Sequence, residues 1–93
     1  MNKLPSICIP RVNTNITKYD IKNVFETILG KDSVYRVDLI KSSFCQKAFV
    51  HFKSNCINHN EHFNMMQDRL CKGEDIKIVV ENNLIWKCSV IKH

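Results

Sequence analysis

Cys56, His59, His62 and Cys71 are the residue types that hold zinc, and Cys56-x-x-His59-x-x-His62 approaches zinc spacing. A helix read over residues 58–70 places position 71 nine residues beyond His62, about 13.5 Å along the axis and on nearly the opposite face. Side chains so placed do not share one ion, so no metal or other cofactor is expected. The same separation removes His62 and Cys71 as a base and nucleophile. His51 comes within reach of Cys8 or Cys45 across a sheet, but the sequence offers no third group to orient the ring. The remaining set is one aromatic among cations: Phe49 with Lys47, Arg36, Lys53 and Lys87, accompanied by Cys8, His51 and Ser89. An aromatic ring stacks on a nucleobase and cations hold phosphates. That is binding chemistry without catalysis.

The elements that position these residues follow from periodicity. Ser6-Ile7-Cys8-Ile9 reads as a strand closed by Pro10, followed by a polar loop, Arg11 to Ile16. Thr17-x-x-Asp20 has capping-box spacing. Ile21, Val24, Phe25, Ile28 and Leu29 then form one helical stripe that stops at Gly30 in a left-handed conformation. Residues 33–41 alternate as a strand with Val37 and Leu39 inward. Residues 45–53 form a second strand, with Ala48, Val50 and Phe52 on one face and Lys47, Phe49, His51 and Lys53 on the other. Residues 58–70 read as a second helix with Phe63, Met66 and Leu70 in its stripe and His59 a turn earlier. One of Met65 and Met66 must face the core. Two strands around Asn82-Asn83 close the chain as a hairpin, with Val79 opposite Trp86 and Ile78 opposite Lys87. Trp86, Cys88 and Val90 share a face and are assigned to the core, because the alternate set contains Lys87 and Ser89. The other reading of Trp86 is an exposed stacking residue. The expected fold is α+β, a ferredoxin-like βαββαβ sandwich: one antiparallel sheet, two helices on one face, and an extension by the C-terminal hairpin. Its first hairpin strand would be an apolar sheet edge, open to pairing.

Two segments carry a family likeness. Ile7-Cys8-Ile9-Pro10-Arg11-Val12 falls where the RNA recognition motif has its first-strand signature. Cys45-Gln46-Lys47-Ala48-Phe49-Val50-His51-Phe52 falls on its third-strand signature and fits at Ala48, Phe49, Val50 and Phe52. With the element order and about 80 residues of fit, the chain resembles a divergent RNA recognition motif. The resemblance implies single-stranded RNA bound on the open sheet, with Phe49 stacked on a base. Lys47 and Cys8 stand where two further stacking aromatics are expected, and Cys45 replaces the leading basic residue. At roughly 1–3 kcal/mol per stacked base, losing two platforms removes about 2–6 kcal/mol, so weak or atypical binding is implied. Arg36, Lys47, Lys53 and Lys87 would hold phosphates, with Asp38 the one acid assigned to that face. Acylphosphatases are similar in length and element order, but their Gly-rich phosphate loop has no counterpart between Pro10 and Ile16. An enzyme is not expected. The alternative function is a protein-interaction or homodimerisation module that has lost RNA binding. It would use a sheet face of Cys8, Ile40, Phe49 and Ile91, or the sheet edge.

Composition bounds these readings. The 93 residues make one domain, 1–93, with 44% hydrophobic and 25% charged residues, which excludes wholesale disorder. Fourteen Lys and Arg against nine Asp and Glu give a formal charge of +5, suited to an acidic partner such as nucleic acid. Five cysteines without paired spacing fit a reduced, intracellular setting, cytoplasmic or nuclear. No apolar run approaches the ~18 residues of a membrane span. The N-terminus does not read as a signal peptide. Abundant Asn, Ile and Lys hint at an AT-rich genome, such as that of a protist or a large DNA virus, whose replication factory would then be the location.

Overall fold

The computed structural model describes residues 5–53, 61–81 and 84–91. Within these limits, helix α1 (Lys18–Leu29) begins at Thr17, whose hydroxyl accepts from the Asp20 backbone N–H while Asp20 accepts from the Thr17 backbone N–H at 2.8 Å. This is the reciprocal capping box that the spacing predicts. The helix buries Ile21, Phe25 and Leu29 and half-buries Val24 and Ile28. Gly30 ends it with its N–H donating to the Glu26 carbonyl at 2.9 Å. Its φ of 114° is positive, but its ψ of 159° takes it to the glycine-only extended region rather than the expected left-handed helical one. The left-handed residue is Asp32, two positions on, at φ 62°.

Five strands form one antiparallel sheet: β1 (Ile7–Val12), β2 (Val34–Lys41), β3 (Gln46–Phe52), β4 (Ile76–Glu81) and β5 (Leu84–Val90), in the order β2-β3-β1-β5-β4. Helix α2 (Glu61–Cys71) precedes β4. The chain is therefore α+β as expected, but its string is βαββαββ rather than βαββαβ. The final hairpin contributes both its strands, β4 at the edge and β5 beside β1. Side chains of both helices enter a single core with Ile7, Ile9, Ala48, Val50 and Phe52 of the sheet. Phe25 meets Phe52 edge-on at 5.7 Å between ring centroids. Met66 and Leu70 of α2 are buried and Met65 is exposed, so Met66 is the core methionine. Some residues named from sequence lie outside the description: Cys56, His59 and the Asn82-Asn83 turn as residues, His62 and Phe63 as side chains.

Two strands depart from the expected reading. The sequence suggests that Pro10 closes β1, yet the strand runs to Val12. Ile9 pairs with Ala48 and Val12 with Gln46, so β1 carries one residue more than β3 across this stretch. Such a bulge is where an interior strand tolerates a residue with no N–H to donate. Ile9 and Val12 are both buried, leaving both Pro10 and Arg11 exposed. In the hairpin, Trp86 faces Ile78, not Val79, and Lys87 faces Lys77, not Ile78. Val80 is the extra residue of a bulge between Val79 and Glu81. It reconciles two alternations: Ile76 and Ile78 point inward with Trp86 and Cys88, and Val79 turns outward. Trp86, 2% exposed, is a core residue and does not stand in for the absent stacking aromatics.

Candidate nucleic-acid interface

Strand alternation delivers the sequence-predicted residues to the sheet face away from the helices. Phe49 of β3 lies between Asp38 of β2 and Cys8 of β1, and Cys8 continues the row to Ser89 of β5. Phe49, Cys8 and Ser89 are half-buried, so this central row shows solvent one aromatic ring, set between the Asp38 carboxylate and the Cys8 thiol. Burial pushes the Cys8 thiol above its ordinary 9.0, partly offset by the charge of Lys47, so the group is a neutral thiol at neutral pH.

A second row is basic. Lys47, opposite Ile40, sits between the residues that pair with Ile9 and Val12, and so faces the Pro10–Arg11 bulge. Continuing the β1–β5 register brings position 87 beside the same bulge, and Lys87 pairs with Lys77 on β4. Lys47, Arg11, Lys87 and Lys77 thus step across four strands, all exposed. At roughly 4.8 Å per strand the row is about 14 Å long. Sequence reasoning finds Lys47 and Lys87. It misses Arg11, because Pro10 reads as the end of the strand, and Lys77, because a hairpin without the Val80 bulge sets the register one residue out. Lys87 is within 3.4 Å of Asp75, an exposed pair that solvent weakens, so Asp75 joins Asp38 as an acid of this face.

The third row behaves differently from expectation. Arg36 donates to Asp38 through Nε at 3.0 Å and Nη2 at 3.0 Å, so it is not a free phosphate ligand. The hydrogen bonds from Arg36 hold the Asp38 carboxyl below its ordinary 3.8, and Asp38 raises the Arg36 guanidinium in return. His51 Nε2 lies 3.4 Å from Asp38, and His51 Nδ1 lies 2.7 Å from Ser6 Oγ. A hydrogen on Nε2 suits the Asp38 contact, and Nδ1 shares the second hydrogen bond with the Ser6 hydroxyl. Asp38 is the orienting group for His51 that the sequence did not reveal. Serine, histidine and aspartate are the types of a nucleophilic relay, yet Arg36 already neutralises Asp38, and the row lies on the open sheet rather than in a cleft. What it does is join β2 and β3 to Ser6, the residue just before β1, across the exposed face. Lys53, half-buried just past the end of β3, donates its backbone N–H to the Ser33 carbonyl at 2.9 Å.

Phe44 is 95% exposed at the β2–β3 turn, which Ser42 closes by donating its N–H and hydroxyl to the Cys45 carbonyl. No three His, Cys, Asp or Glu among the described residues are grouped to hold a metal ion. No described helix is long and apolar enough to cross a membrane. No family model, curated protein or solved structure matches this chain.

Proposed function

We propose that the chain binds single-stranded RNA, without catalysis, on its open sheet face, as a divergent domain of RNA-recognition-motif type. The observation that carries this reading is the basic row Lys47–Arg11–Lys87–Lys77 running beside the half-exposed Phe49. β5, antiparallel to β1, takes the place of the fourth strand of a split βαβ sheet, and β4 is an addition at its edge. Phe49 supplies one stacking platform and the row supplies phosphate contacts. Four such contacts give a slope of about −3 in log affinity against log salt, or about fifty-fold weaker binding from 50 to 200 mM. The test is an amide NMR titration with a mixed-sequence single-stranded RNA at both salts. Shifts at Cys8, Arg11, Lys47, Phe49 and Lys87 that persist at the higher salt support the reading. Phe49→Ala should then cost about 1–3 kcal/mol of binding with little loss of stability. Shifts scattered over lysines remote from the sheet, vanishing with salt, would reject it.

A second reading is favoured by the β4 edge. Val79 (68% exposed) and Ile85 (55%) lie side by side there, and a groove of about 310 Å³ runs beneath, lined in part by Met65, Met66, Ile76 and Ile78. Antiparallel pairing of β4 with a second copy about Val79 would set position 77, a Lys, opposite position 81, a Glu, and Ile78 opposite Val80. Such a dimer leaves the sheet face open. Light scattering should show twice the monomer mass, reverting to one in Val79→Lys; a monomer at all concentrations would dismiss it.

A further inference from the structure

Among the described residues the open sheet face presents one aromatic, Phe49, so on the RNA-binding reading further stacking platforms are to be sought at its margins. A groove of about 240 Å³ at the edge strand β2, where α1 passes, is lined by Lys18, Tyr19, Lys22, Tyr35, Arg36 and Val37. Five of these six are aromatic or cationic and none is acidic. Tyr19 is 71% exposed and Tyr35 67%. Lys18 Nζ stands 5.5 Å from the centroid of the Tyr19 ring.

The cations are badly placed for the fold. Lys18 is the first residue of α1, where the helix dipole disfavours positive charge, and Lys22 is its i+4 neighbour of the same sign. Neither has an ion-pair partner among the described residues. A phosphate seated between them would relieve both conflicts. Arg36 links the groove to the open face, because the same side chain grips Asp38 in the row that runs through His51 to Ser6.

We propose that this groove is a second nucleotide subsite of the RNA surface, taking a base stacked on Tyr35 and a phosphate held by Lys18 and Lys22. This rests on the RNA-binding reading and extends the strand's path from Phe49 over the β2 edge. Tyr19 and Tyr35 are the only tyrosines in the chain, so their ring signals report on the groove alone.

The experiment is an NMR titration of protein carrying ¹³C-labelled tyrosine rings and ¹⁵N amides with a ten-nucleotide mixed-sequence single-stranded RNA. Both ring signals should move along with the Lys47 and Phe49 amides. Tyr35→Ala should weaken binding about tenfold, whereas Tyr35→Phe, which keeps the ring, should bind as the parent does. Ring signals that stay still while the sheet amides move would overturn the groove and leave the sheet reading standing. Moving rings with silent sheet amides would keep the groove and overturn the sheet. Silence in both would overturn the two together.

Discussion

Asp38 decides how much of the face's positive charge is available. Its carboxylate occupies both Nε and Nη2 of Arg36 and sits within reach of His51. Asp38→Asn should therefore strengthen RNA binding several-fold at low salt by releasing a guanidinium, and should raise the magnitude of the salt slope by about 0.7 for one added phosphate contact; isothermal titration at two salts reads both. The same pair makes stability depend on pH. A carboxyl with a folded pKa below 3.8 stabilises the fold fully above the ordinary value, and that stabilisation is lost as pH falls through the lowered one. Denaturant midpoints should thus fall on going below pH 3.8 by less in Asp38→Asn than in the parent. Asp20, lowered by its hydrogen bond from the Thr17 backbone, titrates in the same direction in both proteins and cancels. Cysteine reactivity divides as clearly. Burial pushes Cys88 up to about 12, and its side chain is fully enclosed, whereas Cys71 is exposed. A thiol reagent at pH 8 should modify Cys71 in the native protein and reach Cys88 only as fast as the protein unfolds; equal rates at the two would contradict the core described here.

Between the elements, Gln46 is the joint that matters most. It is a buried polar residue at the start of β3, and its amide donates to the carbonyls of Asn13 and Ile16, both at 2.8 Å. It thereby ties the loop between β1 and α1 to the sheet beside the bulge that exposes Arg11. Gln46→Leu leaves the Ile16 carbonyl without its donor, while the Asn13 carbonyl keeps the Ile16 N–H at 3.0 Å; the change should cost about 1–3 kcal/mol, measured by urea unfolding, and should broaden the Arg11 amide signal. The elements themselves were legible wherever one period ruled. The α1 stripe and capping box, the alternation of β3 and the enclosure of Trp86 follow from local pattern. The bulges were not, because each is a compromise between two strands. Pro10 reads as a stop until Val12 is seen to need the core, and Val80 becomes surplus only when Ile76-Lys77-Ile78 is set against Trp86-Lys87-Cys88. Those same bulges define the missed half of the basic row. Asp38 and Ser6 went unrecognised as partners of His51 for a related reason: cross-strand neighbours depend on register, which no single strand encodes.

At the scale of the whole molecule, the chain orders its strands so that β1, the first, lies in the middle, with β3 on one side and β5 on the other. Its second neighbour is residues 84–90, nearly the full length of the chain away. During synthesis, at roughly 5–20 residues per second, β1 therefore waits several seconds with an open edge made of Ile7, Cys8 and Ile9. Until residue 90 has cleared the ribosome, the emerging polypeptide is a half-built sheet whose most apolar strand is unguarded, the state in which chaperones and aggregation compete for it. Nascent chains stalled with residue 75 outside the tunnel should be cut readily by protease, and those stalled with residue 91 outside should resist. Mutational damage to β5 would then show first as poor yield in the cell, ahead of any change in what the finished protein binds.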